Sequence, residues 1–297
     1  MKIVVHDTLP AHLRLLHLPV PARPAALREI LAPLHPFLSP ALGGADLVAL
    51  HEQGVGFPLD RDDPRLVPAV EQMRRAGVRE RIETALATAR DRILDTAAPT
   101  LRTPETVHVV LVLGDPDDEH LVSRSAGYFG FGGIPGAVHL VMWPTPTALA
   151  KIEHAAVHEL HHNVRYANVV WDPETVTVGE QVVAEGLAEA FVRELAGPEA
   201  MGPWATTLTG AALDDAYAKV TAGIDVSGMQ NLPPYVYGDD SAAYLNTTPL
   251  GIPAMAGYAT GLRIADAHCA ATGLTAAQSV ALPARDVLTN AGVPTVT

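Results

Sequence analysis

The sequence predicts an α+β fold, mainly helical, with a small mixed sheet beside a helix at about 145–166. Three observations predict it. Apolar residues recur at helical spacing through much of 24–99 and again after 145. Two β-branched apolar runs, "TVHVVLVLGD" (106–115) and "AVHLVMWP" (137–144), read as buried strands between those helical stretches. The composition shifts near residue 100, which divides a helical N-terminal region, 1–100, from a second domain, 101–297.

The elements follow in order. "KIVVHD" near the N-terminus reads as a short strand. "PAALREILAPLHPFL" and the long pattern "RLVPAVEQMRRAGVRERIETALATARDRILDTA" (65–97) read as helices, the second breaking at Gly77. "HEQGVGFPLDRDDPR" reads as the loop between them. After the first buried strand, "GYFGFGGIPG" (127–136) reads as a glycine-rich loop. Thr145-Pro146 has the form of an N-cap followed by proline in the first turn, and starts a helix to about Tyr166. A linker with Trp171, Asp172 and Pro173 leads to "TVGEQVVAEGLAEAFVRELAGP", which opens with a Thr177/Glu180 capping box and stops at Gly197-Pro198. The stretch 200–255 carries only short helices and loops. "AMAGYATGLRIADAHCAATG" and "TAAQSVALPARDVL" read as helices, the latter interrupted at Pro283.

Composition excludes several classes. The 297 residues can bury a substantial core, built mainly from Ala, Val and Leu because aromatics make up only 5%. A formal net charge of −13 without a basic cluster argues against nucleic acid and anionic membranes as partners. The single cysteine, Cys269, excludes an intramolecular disulfide and fits a buried structural thiol. No signal-peptide core and no membrane-length apolar run is seen, so a cytoplasmic protein is expected.

The chemistry concentrates in "AAVHELHHNVRY", 155–166. Each helical residue advances about 100° and 1.5 Å, so His158 and His162 lie about one turn apart on one face and can share a zinc ion. Glu159 lies about 100° from His158. It is badly placed as a third ligand and well placed to take a proton from a metal-activated water. His-Glu-x-x-His fixes only three positions, but the segment reads as a helix without it. A second helix also supplies "AEGLAEAF". Catalytic zinc usually takes three protein ligands and keeps one place for water. Glu185 and Glu189, four residues apart on one face of that helix, are both candidates for the third. Gly186 costs about 1 kcal/mol against alanine in a helix, a cost explained if another backbone approaches there.

"HELHH" followed by "EGLAE" resembles the gluzincin metallopeptidases, and most closely a bacterial family described as predicted zinc-dependent proteases. The glycine-rich segment and "GYATGLRI" are similar as well, so the resemblance covers roughly 105–285. It implies a zincin-like metallopeptidase domain acting on a peptide or protein substrate. It implies Zn2+ held by His158, His162 and Glu185, with Glu159 as general base. Glu189 would then orient a ligand histidine, and the strand 137–143 would be the sheet edge that pairs with an extended peptide. The aminopeptidase branch needs an upstream Gly-x-Met-Glu-Asn segment, which is absent here.

The remaining candidates rank below these. His161 competes with His162 as ligand at a less favourable spacing, and His154 reads as a flanking residue. His108, His120 and His139 read as packed or exposed histidines. Tyr258, Arg263 and His268 share one helix, and Tyr258 is the choice for stabilising the oxyanion. "LGDPDDEH" reads as a solvated turn, and "GYFGFGG" lacks the Gly-Lys-Ser/Thr of a phosphate loop. The function expected is zinc-dependent peptide-bond hydrolysis. Two alternatives stay open: a structural metal in a non-catalytic protein, which leaves Glu159 unexplained, and a zinc hydrolase of a non-peptide amide.

Overall fold

A computed structural model describes residues 1–96, 98–244 and 247–295. The end of the 65–97 pattern at Ala97 and residues 245–246 of the weakly patterned stretch lie outside the described residues. The chain forms two compact units, 1–91 with 103–163, and 92–102 with 164–297. The fold is α+β and mainly helical with one small mixed sheet, as the patterning predicts. Among the described residues no helix is long and apolar enough to cross a membrane.

The first unit is built on a four-stranded sheet: β1 (Lys2–Val5), β2 (Thr106–Leu113), β3 (Tyr128–Ile134) and β4 (Ala137–Met142), in the order β1-β2-β4-β3. β1, β2 and β4 run parallel, and β3 pairs antiparallel with β4. β2 is buried along most of its length, which is why it reads as a continuous apolar run. Two sequence expectations change here. The segment 127–136 is not a loop, because most of it is the strand β3. The strand at 137–142 is not the edge, because β2 holds its other side and β3 takes the edge position.

The glycines hid β3, since glycine is depleted in strands. Their reason is tertiary. A side chain on Gly130 would occupy the space of the Glu159 side chain, and one on Gly132 would strike the Glu159 backbone. Glycine in a strand often marks such a close approach. The register shifts between Phe131 and Ile134, and Gly136, at φ +98°, closes the hairpin into β4.

Helices α1 (Leu9–Leu16), α2 (Arg23–Leu31), α3 (His35–Ala41), α4 (Leu47–Gln53) and α5 (Leu66–Arg75) belong to this unit, with α6 (Val78–Thr96) as far as Asp91. Gly77, at φ +61°, makes the expected break between α5 and α6. The 24–38 pattern is two helices, and "HEQ" belongs to the end of α4 rather than to a loop. α7 (Pro146–Arg165) completes the unit as far as Asn163. Its first turn is capped as expected: Thr145 Oγ1 accepts from Ala148 N at 3.0 Å.

The second unit centres on α8 (Val178–Ala196), buried along most of its length. It is buried on nearly all sides, its three inner glutamates included, and so forms the core of the unit. Around it lie α9 (Pro203–Thr206), α10 (Gly210–Ala222), α11 (Pro233–Val236), α12 (Asp239–Tyr244), α13 (Ala256–Thr272), α14 (Ala276–Ser279) and α15 (Ala284–Asn290). The last two replace the single interrupted helix expected over 275–288, with Pro283 as the N-cap of α15. α13 is the principal partner of α8. Gly186 and Gly261 face each other there so closely that a Cβ on either would enter the other helix's backbone. That is the close approach expected of Gly186.

Candidate metal centre

In the first unit, α7 brings His158 and His162 together. Their Nε2 atoms are 2.9 Å apart, and the rings meet edge to face at a centroid distance of 4.6 Å. Both are buried, as is Glu159. The one-turn spacing therefore produces the convergence that the sequence implied. Glu159 turns instead toward β3, filling the slot that Gly130 and Gly132 leave open. His161 is completely buried, and His154, one turn before His158, is half-buried.

Asn163, next to His162, is a residue the sequence reading missed. It is fully buried. Its Oδ1 accepts from Gly136 N at 2.9 Å, and its Nδ2 lies at 3.1, 2.8 and 2.8 Å from the carbonyls of Gly132, Ile134 and Ala137. These are backbone groups of the irregular end of the β3–β4 hairpin, and a buried polar group costs free energy unless bonded. One amide thus satisfies the hairpin and pins it to α7. The signal available in the sequence was only an asparagine one helical turn after Glu159, on the same face.

In the second unit, α8 buries three carboxylates, each of which has found donors. Glu180 forms a two-pronged pair with Arg165, Oε1 to Nε and Oε2 to Nη2, both at 2.7 Å. Arg165 also donates to the carbonyls of Val280 and Leu282 at 3.2 and 3.0 Å. The Thr177 half of the expected capping box is present, with Glu180 N donating to Thr177 Oγ1 at 3.0 Å. The Glu180 side chain, however, goes to the arginine. A complete capping box sits instead at Thr275 and Gln278.

Glu185 is 5% exposed, and its Oε1 accepts from Gln181 Nε2 at 2.8 Å. Glu189 is buried, and accepts from Gly202 N and Trp204 Nε1, each at 2.9 Å. Tyr166 stands near this group. Burial first, then the negative charges of Glu180 and Glu185, push its phenol well above the usual value.

Tyr258 is half-buried on α13, its ring 5.9 Å from Trp204 and 6.4 Å from Tyr237. Its two companions on that helix have packing roles. Arg263 lies over the Tyr217 ring at 4.3 Å and pairs with Asp214. His268 bonds Ser279 Oγ at 2.9 Å and Asn290 Nδ2 at 3.3 Å. Cys269 is half-buried rather than buried, and burial raises its thiol pKa, so it is a poor nucleophile.

Two converging imidazoles on a helix laid against a small sheet offer donor atoms that could hold a metal ion, with a buried carboxylate next to them in the chain. The chain belongs to the family described as "Predicted Zn-dependent protease (DUF2268)", whose model matches residues 92–289. Among curated proteins it is similar to the uncharacterized protein YjfC of Bacillus subtilis (strain 168), 34% identical over 183 residues, 62% of this chain and 60% of that protein. It is also similar to the uncharacterized protein YjaZ of the same organism, 28% identical over 133 residues, 44% of this chain and 47% of that protein. The matched stretch is thus under two thirds of either relative's length. No solved structure matches the chain significantly.

Proposed function

We propose that the protein is a gluzincin-type zinc metallopeptidase in which His158, His162 and Glu185 hold one Zn2+ and Glu159 is the general base. The observation that carries this reading is the convergence of the two Nε2 atoms, 2.9 Å apart, next to a buried glutamate. The donor set suits the metal: two imidazoles and one carboxylate, all buried, are the ligands of a catalytic zinc that keeps a place for water. A bound zinc supplies Lewis acidity, polarising the scissile carbonyl and lowering the pKa of water towards neutrality.

The residues of the chain do the rest. Glu159 takes a proton from the attacking water and returns it to the departing amine. Glu189 orients a ligand histidine, a task its remaining lone pairs allow after its bonds to Gly202 and Trp204. Tyr258 donates to the oxyanion. An extended peptide adds to the outer edge of β3, the strand against which Glu159 packs.

The test is metal analysis joined to a screen of peptide and non-peptide amide libraries, on the parent and on Glu159→Gln. The parent is expected to carry about one zinc per chain and to cleave peptides. The variant is expected to keep its zinc and lose activity by a factor on the order of 100 or more. A metal-free Glu159→Gln would make Glu159 a ligand. A fully active one would remove it from the mechanism, and hydrolysis confined to non-peptide amides would replace the substrate class.

A further inference from the structure

We propose that Trp171 and Gln181 form a positioning relay that fixes the carboxylate of Glu185. This rests on the reading of Glu185 as a metal ligand. The Trp171 indole Nε1 donates to Gln181 Oε1 at 3.3 Å, and Gln181 Nε2 donates to Glu185 Oε1 at 2.8 Å. The direction of the relay follows from chemistry. An indole N–H can only donate, so the amide oxygen of Gln181 must face it. The amide NH2 then faces Glu185. With the amide turned over, an oxygen would meet the carboxylate and an NH2 would meet the indole N–H, and both contacts would repel. Trp171 therefore decides which end of Gln181 the carboxylate sees.

The parts of the relay are held in place. Gln181 lies one helical turn before Glu185 on α8, the i,i+4 spacing at which side chains meet. Trp171 stands in the segment that leads to α8, and that segment is tied down just beyond it. Asp172 Oδ1 accepts from Glu174 N at 2.8 Å, the Asp172 carbonyl accepts from Val176 N at 2.8 Å, and the Pro173 carbonyl accepts from Met229 N at 2.8 Å. A glutamate side chain has three torsions to freeze when it binds a metal. A donor already on one oxygen freezes them beforehand, so less entropy is lost on binding. The relay also gives a role to the tryptophan of the 171–173 linker.

The experiment is a zinc titration against a chromophoric chelator, with the parent, Gln181→Leu, Trp171→Phe and Glu185→Ala. The visible spectrum of each cobalt(II)-loaded protein and the thermal stability of each metal-free protein are recorded alongside. Glu185→Ala is expected to lose tight zinc binding. Gln181→Leu is expected to bind zinc about 10–100-fold more weakly, the range usual for a partner of a metal ligand. Its cobalt spectrum should change, because the carboxylate is no longer held in one orientation. Trp171→Phe removes only the indole donor and is expected to weaken zinc in the same direction by a smaller factor. Parent-like zinc affinity and parent-like cobalt spectra in both relay variants, with Glu185→Ala metal-free, would overturn the relay and leave Glu185 a ligand. Tight zinc in Glu185→Ala would overturn the ligand assignment itself, and the relay with it. If Gln181→Leu does not fold, Trp171→Phe alone decides the matter on the same readouts.

Discussion

Lowering the pH from 7 to 5 should destabilise the metal-free protein through three histidines of the first unit, the buried His12 and His51 and the half-buried His139. His12 donates from Nδ1 to the Thr8 carbonyl at 2.8 Å, and its Nε2 faces Leu113 N–H at 3.4 Å, so the neutral ring is the form that fits. His51 donates from Nε2 to the Phe57 carbonyl at 2.9 Å, while its buried Nδ1 and the buried Nε2 of His139 have no hydrogen-bond partner. Burial is the main cause that lowers all three from 6.5 to about 4; proximity to His51 adds to it for His12 and His139. The sign follows from proton uptake. As the pH falls through 6.5 the unfolded chain binds these protons and the folded chain does not. Stability is therefore greatest above 6.5 and declines until about pH 4. At about 1.4 kcal/mol per pKa unit, each histidine costs the fold about 2 kcal/mol at pH 5, and the three together about 6, against a typical domain stability of about 5–15. The assay is urea unfolding in a chelator from pH 7.5 to 4.5, on the parent and on His139→Leu. The variant removes one proton-binding site that is unpartnered in the fold, so its pH dependence should be flatter by about a third. Every other group is common to the two proteins and cancels in the comparison. Stability that does not fall between pH 6.5 and 4.5, or equal slopes in the two proteins, would refute the reasoning.

Three further outcomes are expected. Glu185→Ala should lose zinc at ordinary concentrations while Glu189→Ala still binds, about 10–100-fold more weakly; zinc titration ranks the two, and the reverse order would make Glu189 the ligand. Gly186→Ala should lower thermal stability even though alanine gains about 1 kcal/mol of helix propensity, because the new Cβ meets the Gly261 backbone, which cannot rotate away. An unchanged or raised Tm would mean that α8 and α13 separate at little cost. Arg165→Met alone should cost about 3–5 kcal/mol in chemical denaturation by leaving Glu180 buried and unpaired, and Arg165→Met with Glu180→Leu should recover most of it. Equal losses in the single and double variants would show that the bonds to Val280 and Leu282, and not the ion pair, carry the stability.

The amino-acid sequence by itself determined what depends on near neighbours. Helical periodicity placed α7 and α8, local chemistry capped α7 with Thr145, and one-turn spacing put His158 and His162 on a common face, because a helix repeats every few residues whatever surrounds it. What the sequence left open was every partner distant along the chain. β3 was hidden because its glycines answer to Glu159, which packs on them from another element. β4 could not be known as an interior strand until β2 and β3 paired on its two sides. Glu180 was read as half of a capping box because Thr177 is near in sequence, yet its charge found Arg165, the stronger partner in a buried site. Asn163, Gln181 and Trp171 carry no motif, and their bonds exist only once the hairpin, α8 and the 171–173 linker are in place. Local conformational preference is encoded residue by residue, whereas the satisfaction of a buried polar group depends on which atoms the folded chain brings within about 3 Å of it.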